Sequence, residues 1–323
     1  MNTLTFSAIT AFLNCRKYYF NRYIRAIEPA DRPDLLRFGS IAHKAIENYY
    51  NGMAPERIRH ELYDECRTSE WYSQEKRQEL YVWAMIIGYM KRYPREEEEW
   101  EVVAVEPVFD VAIENPEGKG KSRKFKMSGR VDGLVRSRDT GEYAIMEHKT
   151  TSRPLDSFLS RIWTDFQIHL YAHYLGIDRG IKIEKVIYNI LFKSQKRRVG
   201  LQSKKVDAKI ESDGELLERL LEQHLYDGDK LYHREEIIIS PGRLKEISEE
   251  VWEVKDQILM AQRRNKYYKN PSYCFHWNRP CMYYELCKSG DSPVLIENYF
   301  RPRIPHEELT DETPAERTKQ TQG

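Results

Sequence analysis

Tyr143-Ala144-Ile145-Met146 is apolar on both faces of an extended chain and runs without a break into Glu147-His148-Lys149. Side chains alternate across a strand, so a segment apolar on both sides is a central strand covered above and below. Here its end carries charge. Glu147 and Lys149 project together and His148 points the other way. Charges at the end of a buried strand are more often functional than charges along an edge. The preceding strand, expected within residues 126–136, holds Asp132 among Val131, Leu134 and Val135. The connection Ser137-Arg138-Asp139-Thr140-Gly141-Glu142 is rich in turn residues. A hairpin symmetric about the Asp139–Thr140 bond makes opposed position numbers sum to 279, which sets Asp132 across from Glu147. Their Cβ atoms would then lie roughly 4.5–5.5 Å apart. Two bare carboxylates that close repel, and a divalent cation between them removes the conflict.

A third ligand type lies upstream. Residues 40–51 have helical periodicity, and His43 and Glu47 share one face of that helix. Downstream, Gln167 and Tyr171 share a face of a helix expected at 155–175 by the same spacing. They read either as ordinary polar exposure or as hydrogen-bonding groups aimed at phosphate and base. Glu106, at the start of the first strand, reads as an exposed strand end, with support of the site from behind as the second reading.

The remaining pattern frames this core. Helices are expected at 7–24, 40–51, 55–66 and 74–93, and strands at 102–114, 125–135 and 143–149. A strand hairpin follows at 183–193 and 198–206, then helices at 214–233 and 241–264. Residues 271–289 read as irregular, and from His306 onward the chain lacks apolar residues, so disorder is expected over 306–323. Strands flanked by helices imply an α/β fold. Residues 1–305 are expected to be one domain, with a helical part to about 100, a core over 101–206 and a helical, Cys-rich part over 207–305.

Net charge is +1 over 323 residues, so no global field draws the chain to nucleic acid and contact must come from local patches. The densest are residues 119–126 (KGKSRKFK) and 193–205, and both read first as solvated loops. Arg263, Arg264 and Lys266 precede Tyr267 and Tyr268, a mixture that suits stacking on single-strand bases. No secretory signal and no apolar run of about 20 residues is present, so a cytoplasmic protein is expected, with no membrane partner. Five cysteines argue against a disulfide framework and for metal ligation. No GxxxxGK[ST] loop occurs, so any unwinding comes from a helicase or recombination partner.

The order Gly39-x3-His43-x3-Glu47, Gly129-x2-Asp132, Glu147-x-Lys149, Gln167-x3-Tyr171 resembles the RecB-type branch of the PD-(D/E)xK nuclease superfamily. That branch includes AddB-type nuclease domains and CRISPR-associated RecB-like exonucleases. The resemblance implies a central mixed sheet flanked by helices, with the Cys-rich C-terminal segment closing on the N-terminus. It implies His43, Asp132, Glu147 and the backbone carbonyl of His148 as metal ligands, and Asp132, Glu147 and Lys149 as the catalytic set. Lys149 would position or polarise the attacking water, and Gln167 and Tyr171 would contact DNA. Bound Mg2+ or Mn2+ supplies both a nucleophilic water and a counter-charge for phosphodiester hydrolysis. An imidazole ligand tilts such a site towards Mn2+.

Cys274, Cys281 and Cys287 follow C-x6-C-x5-C spacing, and Cys15 stands alone near the N-terminus. Thiolates suit iron–sulfur or zinc alike. In the iron–sulfur members of the group, one N-terminal and three C-terminal cysteines hold a [4Fe–4S] cluster, so the resemblance assigns these four to one, with Zn2+ as the lesser alternative. The departure is x6 where that group has x2. Cys66 is expected to pack on a helix. The function implied is a metal-dependent deoxyribonuclease, an exonuclease on single-stranded or end-containing DNA in recombination, repair or phage DNA processing. The competing reading is a non-catalytic iron–sulfur DNA-binding subunit of a helicase–nuclease complex.

Overall fold

The computed structural model describes residues 1–30, 37–67, 77–95, 99–118, 120–200, 210–276 and 279–309. The chain opens with β1 (Asn2–Leu4), after which the Thr5 hydroxyl caps α1 (Phe6–Asn14) by accepting from the Ala8 N–H at 3.2 Å. The single helix expected over 7–24 is divided. Cys15 is extended (φ −161°, ψ 114°) and separates α1 from α2 (Arg16–Tyr19), which continues as a π turn, Phe20–Ile24. β2 (Ile27–Pro29) follows. Three amphipathic helices, α3 (Arg37–Tyr50), α4 (Pro55–Arg67) and α5 (Gln78–Arg92), then bury a shared core of Ile41, Ala45, Ile58, Leu62, Met85 and Tyr89. Cys66 is buried there, as expected.

The strand expected over 102–114 is two strands in different sheets, β3 (Trp100–Val105) and β4 (Val108–Glu114). Between them Glu106 has φ 50°, and Pro107, with no N–H to donate, ends the ladder. The strand expected over 125–135 also changes sheet: β5 (Lys121–Arg130) gives way to β6 (Gly133–Ser137) across Val131 and Asp132. β7 (Tyr143–Thr151) is the central strand, and Ala144, Ile145 and Met146 are all buried.

Two helices cross over from β7 to the parallel strand β8 (Ile183–Phe192): α6 (Leu155–Ile162) and α7 (Phe166–Arg179). The Asp165 side chain caps the start of α7, and Gly180, at φ 64°, ends it in the left-handed conformation that glycine adopts without strain. α8 (Asp213–Tyr226) starts from a Ser212–Glu215 capping box, and α9 (Gly228–Leu231) leads into β9 (Tyr232–Ile238). α10 (Pro241–Arg264) follows, with Ser240 as its cap and proline in its first turn. The C-terminal part holds a ribbon of β10 (Phe275–His276) and β11 (Arg279–Pro280), then α11 (Tyr284–Lys288), α12 (Pro293–Tyr299) and β12 (Phe300–Pro302), which pairs with β2.

The main sheet runs β3-β6-β7-β8-β9, and a smaller one runs β1-β5-β4. β6 pairs with β7 as Gly133↔Met146, Leu134↔Ile145, Val135↔Ala144 and Arg136↔Tyr143, the register that the symmetric hairpin demands. The expected hairpin of 183–193 with 198–206 is not formed by the described residues. β8 pairs instead with β9, residues 198–200 are not strand, and 201–209 lie outside the described residues. Correspondingly, the helix expected over 214–233 stops at Tyr226. Tyr232 and His233, the end of that expected helix, instead open an edge strand that carries charge along its length, with Ile237 buried and Ile238 exposed. Of the stretch expected to be disordered from 306, residues Glu307–Leu309 form a 3-10 turn. His306 stands 3.4 Å from the Thr5 hydroxyl with its ring against Tyr23; residues 310–323 lie outside the described residues. Among the described residues no helix is long and apolar enough to cross a membrane.

Candidate active site

Both sheet changes happen at one place, and they position the acids. Asp132 lies in the bend between β5 and β6, one step beyond the Gly133↔Met146 pair, so it comes up beside Glu147 without entering the ladder. Its backbone carbonyl accepts from the Glu106 N–H at 3.1 Å, which ties the two bends together. Its carboxylate accepts the backbone N–H of His148 at 2.7 Å. From the helical layer, His43 on α3 reaches in until its Nδ1 is 3.4 Å from Asp132 Oδ1. On β7, Lys149 donates to Glu147 Oε1, while Glu147 Oε2 is buried with no hydrogen-bond partner. His148 turns to the opposite face, where Nε2 meets the Tyr89 hydroxyl at 3.1 Å and Asn189 Nδ2 at 3.4 Å.

The electrostatics follow from burial and crowding. Burial works against the Asp132 anion, yet the charge of His43 and the hydrogen bonds from His148 and His43 hold its carboxyl well below the usual range. Glu147, 2 % exposed, is pushed up to about 7 by burial and then by the charge of Asp132, against the pull of Lys149. Lys149 is held more firmly protonated than usual: burial opposes its charge, but Glu147 and Asp132 outweigh that. His43 is likewise raised, because the charge of Asp132 overcomes burial. Burial lowers His148.

Glu106 belongs to this group, contrary to the first reading of an exposed strand end. Burial, followed by the charges of Asp132 and Glu47, pushes it up to about 8, with Arg130, 3.9 Å away, and His43 opposing. The signal available in the sequence was the Glu-Pro pair between two apolar stretches, a place where a strand must end. Glu47 itself is held by Lys44 at 2.8 Å, one turn beyond His43. Gln167 and Tyr171 stand on α7 as the spacing predicts. Burial, then the charge of Glu147, raises the Tyr171 phenol. Gly129 leaves the room for it: a Cβ there would lie 3.1 Å from Tyr171 Cε1 and 2.4 Å from Phe109 Cζ. Gly39 has no such constraint, since a Cβ there meets Thr150 Oγ1 at an ordinary 3.5 Å.

One imidazole, three carboxyls and a buried carboxylate oxygen without a partner fit a hard divalent cation in the Mg2+ or Mn2+ class. His43 and Asp132, and Lys149 and Glu147, face one another as pairs. Among the described residues no three His, Cys, Asp or Glu side chains are already closed around one point.

Away from the acids, the Cys15 and Cys274 segments meet at Asn270. These two, Cys281 and Cys287 are free thiols. The extended Cys15 between α1 and α2 presents its Sγ to the Asn270 N–H at 3.4 Å, and the Cys274 thiol donates to the Asn270 carbonyl at 3.6 Å. The extra residues between Cys274 and Cys281 are the β10–β11 ribbon, which folds back so that the Cys281 N–H donates to the Cys274 carbonyl at 2.8 Å. The six-residue spacing therefore closes like a shorter one. Burial pushes the Cys281 thiol up to about 11, and Cys287, Cys15 and Cys274 each add to the rise.

Within the two dense basic stretches, Lys121 pairs with Glu114, Lys126 with Asp110 and Arg198 with Asp213. Residues 119 and 201–205 lie outside the described residues.

No curated protein matches this sequence. Among solved structures, one from Eubacterium rectale named "Putative exonuclease" superposes with a TM-score of 0.50 at 12 % identity, covering 96 % of this chain and 94 % of that one. At that identity the likeness establishes the fold. The PD-(D/E)XK nuclease superfamily pattern matches residues 3–288, spanning α3, both sheet changes, β7, α7 and the cysteine ribbon. The chain belongs to the PD-(D/E)XK nuclease superfamily.

Proposed function

We propose that this protein is a Mg2+- or Mn2+-dependent deoxyribonuclease working on single strands or DNA ends, more an exonuclease than an endonuclease. The observation that carries the reading is the convergence of His43 from a helix with Asp132, Glu147 and Lys149 from adjoining strands. Nucleases of this superfamily use such divalent metals. His43, Asp132 and Glu147, with the His148 backbone carbonyl, would hold the cation. When bound, it supplies a Lewis acid and a water of lowered pKa.

The chain's own residues do the rest. The His148 N–H and the His43 imidazole keep Asp132 anionic at neutral pH. Lys149, protonated, holds Glu147 Oε1 and sets a positive charge beside the position a scissile phosphate would take. Gln167 and Tyr171, on one face of α7, would meet the strand. A binding-only subunit would have no chemical use for a buried lysine on Glu147, which favours catalysis over the non-catalytic reading.

The four cysteines support a second proposal: they ligate a structural [4Fe–4S] cluster, or Zn2+ in its place, tying the N-terminal helices to the Cys-rich segment. Its supports are the meeting of the Cys15 and Cys274 segments at Asn270 and the closure of the ribbon. Work with a helicase or recombination partner fits the absence of a nucleotide-binding loop.

The test uses end-labelled linear and circular single strands, with and without Mn2+, on wild type, Asp132→Asn and Lys149→Ala. Linear DNA should be degraded by wild type, and both variants should lose about 10²-fold or more while keeping the wild-type circular dichroism spectrum. Unchanged cutting by Lys149→Ala removes the mechanism.

A further inference from the structure

The last turn of α10 carries a cluster of cations that the fold leaves without counter-charge. Arg263, Arg264 and Lys266 are all exposed, and among the described residues none of them forms an ion pair with a carboxylate. Within the other dense basic stretches, Lys121, Lys126 and Arg198 sit in local pairs with Glu114, Asp110 and Asp213. In a chain of net charge +1, such an unneutralised cluster is a local feature and not a reflection of the whole.

An aromatic platform stands next to it. Asn265, at φ 49°, ends α10 and turns the chain so that Tyr267 goes in and Tyr268 comes out. The Tyr267 ring lies 4.6 Å from that of Phe20. Tyr268 is 61 % exposed, yet it is not loose: its carbonyl accepts the Lys17 N–H at 3.1 Å, and the Arg16 guanidinium lies 4.5 Å over its ring. A held, outward aromatic beside unpaired cations is the combination that single-stranded nucleic acid uses, with bases stacking and phosphates meeting charge.

α1 links the platform to the start of α7, which carries Gln167. Arg16 and Tyr268 adjoin the C-terminal end of α1, and Phe6 at the other end of α1 meets Phe166, the neighbour of Gln167, at 6.1 Å. α1 has nine residues, so the separation is on the order of 14 Å along its axis. A strand running from the hollow at Lys149 along α1 would have to extend beyond its first few nucleotides to reach Tyr268.

We infer that the α10 C-terminal turn, with Tyr268, Arg263, Arg264 and Lys266, is a docking surface for the single-stranded DNA whose end or interior is cut at the Asp132–Glu147 site. This inference rests on the nuclease reading, and its test separates the two. Full-length wild type, the triple variant Arg263→Ala/Arg264→Ala/Lys266→Ala, Tyr268→Ala and Tyr268→Phe bind a labelled 30-mer of dT without added divalent metal across a salt series. Removing three phosphate contacts should flatten the slope of log Kd against log salt by about two. Tyr268→Ala should weaken binding on the order of tenfold with the slope intact, and Tyr268→Phe should bind like wild type.

With Mn2+, a dT tetramer too short to reach the turn should be cut by every one of these variants at the wild-type rate, while the 30-mer is cut more slowly. An unchanged salt slope, or equal loss on tetramer and 30-mer, overturns the surface. So does a cluster that binds anionic phosphatidylserine vesicles but not the 30-mer. A protein that binds as expected but whose Lys149→Ala form cuts normally overturns the nuclease mechanism and leaves the surface standing.

Discussion

Gly129→Ala tests how tightly the fold and the site are joined. Gly129 lies opposite Phe109 across β4 and β5, and Phe109 is fully buried with its ring 5.8 Å from Tyr171 and 6.3 Å from Tyr174. A methyl at 129 would stand 2.4 Å from Phe109 Cζ, 2.7 Å from Cε1 and 3.1 Å from Tyr171 Cε1. No carbon pair tolerates the first two distances, so the Phe109 ring must move, and behind it are Tyr171 and Tyr174. Overpacking of this kind costs about 1–3 kcal/mol. For a chain of 323 residues the unfolding entropy is on the order of 0.7 kcal/mol per kelvin, so the melting temperature should fall by only about 2–4 °C. Activity should suffer more, because the displaced Phe109 ring presses on Tyr171, whose phenol feels the charge of Glu147. The assay pairs thermal unfolding with initial rates on linear single-stranded DNA at 25 °C, where the variant remains folded. Adding Phe109→Leu should restore much of both, a positive coupling between touching residues. A Gly129→Ala protein with wild-type melting and wild-type rate would refute the packing argument.

Two further outcomes follow from groups outside the site. His224 is buried, and the Tyr232 hydroxyl donates to the Met85 carbonyl at 2.8 Å, so it must accept from His224 Nδ1 at 2.6 Å, leaving Nε2 buried without a partner. Burial, then Lys196, holds this imidazole down to about 4 against an ordinary 6.5, so the unfolded chain takes up a proton that the folded chain refuses. The stabilisation is complete above about 6.5 and is lost as pH falls towards 4, by at most about 3 kcal/mol. Melting temperatures of wild type and His224→Gln measured from pH 7 to 4.5 should converge as the pH falls, and parallel curves would reject this. Cys281→Ser should lose any visible chromophore and bound iron, and should expose residues 265–309 to limited proteolysis while the melting of the sheet changes little. Wild type purified without oxygen that carries neither iron nor zinc would end the cysteine proposal.

Much of the site was legible because its geometry is local. The β6–β7 register follows from turn composition alone, and the i,i+4 spacings of His43 with Glu47 and of Gln167 with Tyr171 follow from helix geometry. What periodicity could not see was the two sheet changes. Residues 102–114 and 125–135 each alternate well enough to read as one strand, yet each is broken where an acid sits, at Glu106 and at Asp132. Strand β9 was missed for a different reason. An edge strand keeps few apolar contacts, and Arg234 and Glu235 along it look no different from an exposed helix face. The cysteine spacing that departs from the resembling group became intelligible only as a ribbon, since two-residue strands leave no periodic trace.

The broken strands explain why the acids are there at all. A carboxylate inside a continuous ladder would alternate towards one face and be matched or covered by its neighbours. Asp132 instead sits at the seam between two sheets, where its carbonyl is bonded to the Glu106 backbone and its carboxylate is free to reach the His148 N–H. The seam thus delivers Asp132 and Glu106 to the end of a central strand that is buried on both faces and whose tip bears Glu147 and Lys149. Of these three carboxyls Asp132 is kept anionic by the groups around it, while Glu147 and Glu106 are pushed towards protonation by burial and then by the charge of Asp132. A cation entering this hollow would lower all three together and displace protons as it bound, because the fold has assembled more acid than its own histidine and lysine neutralise. An arrangement that costs stability by itself, and that a divalent cation relieves, is what metal-dependent hydrolysis requires of a protein and what a merely structural sheet end does not.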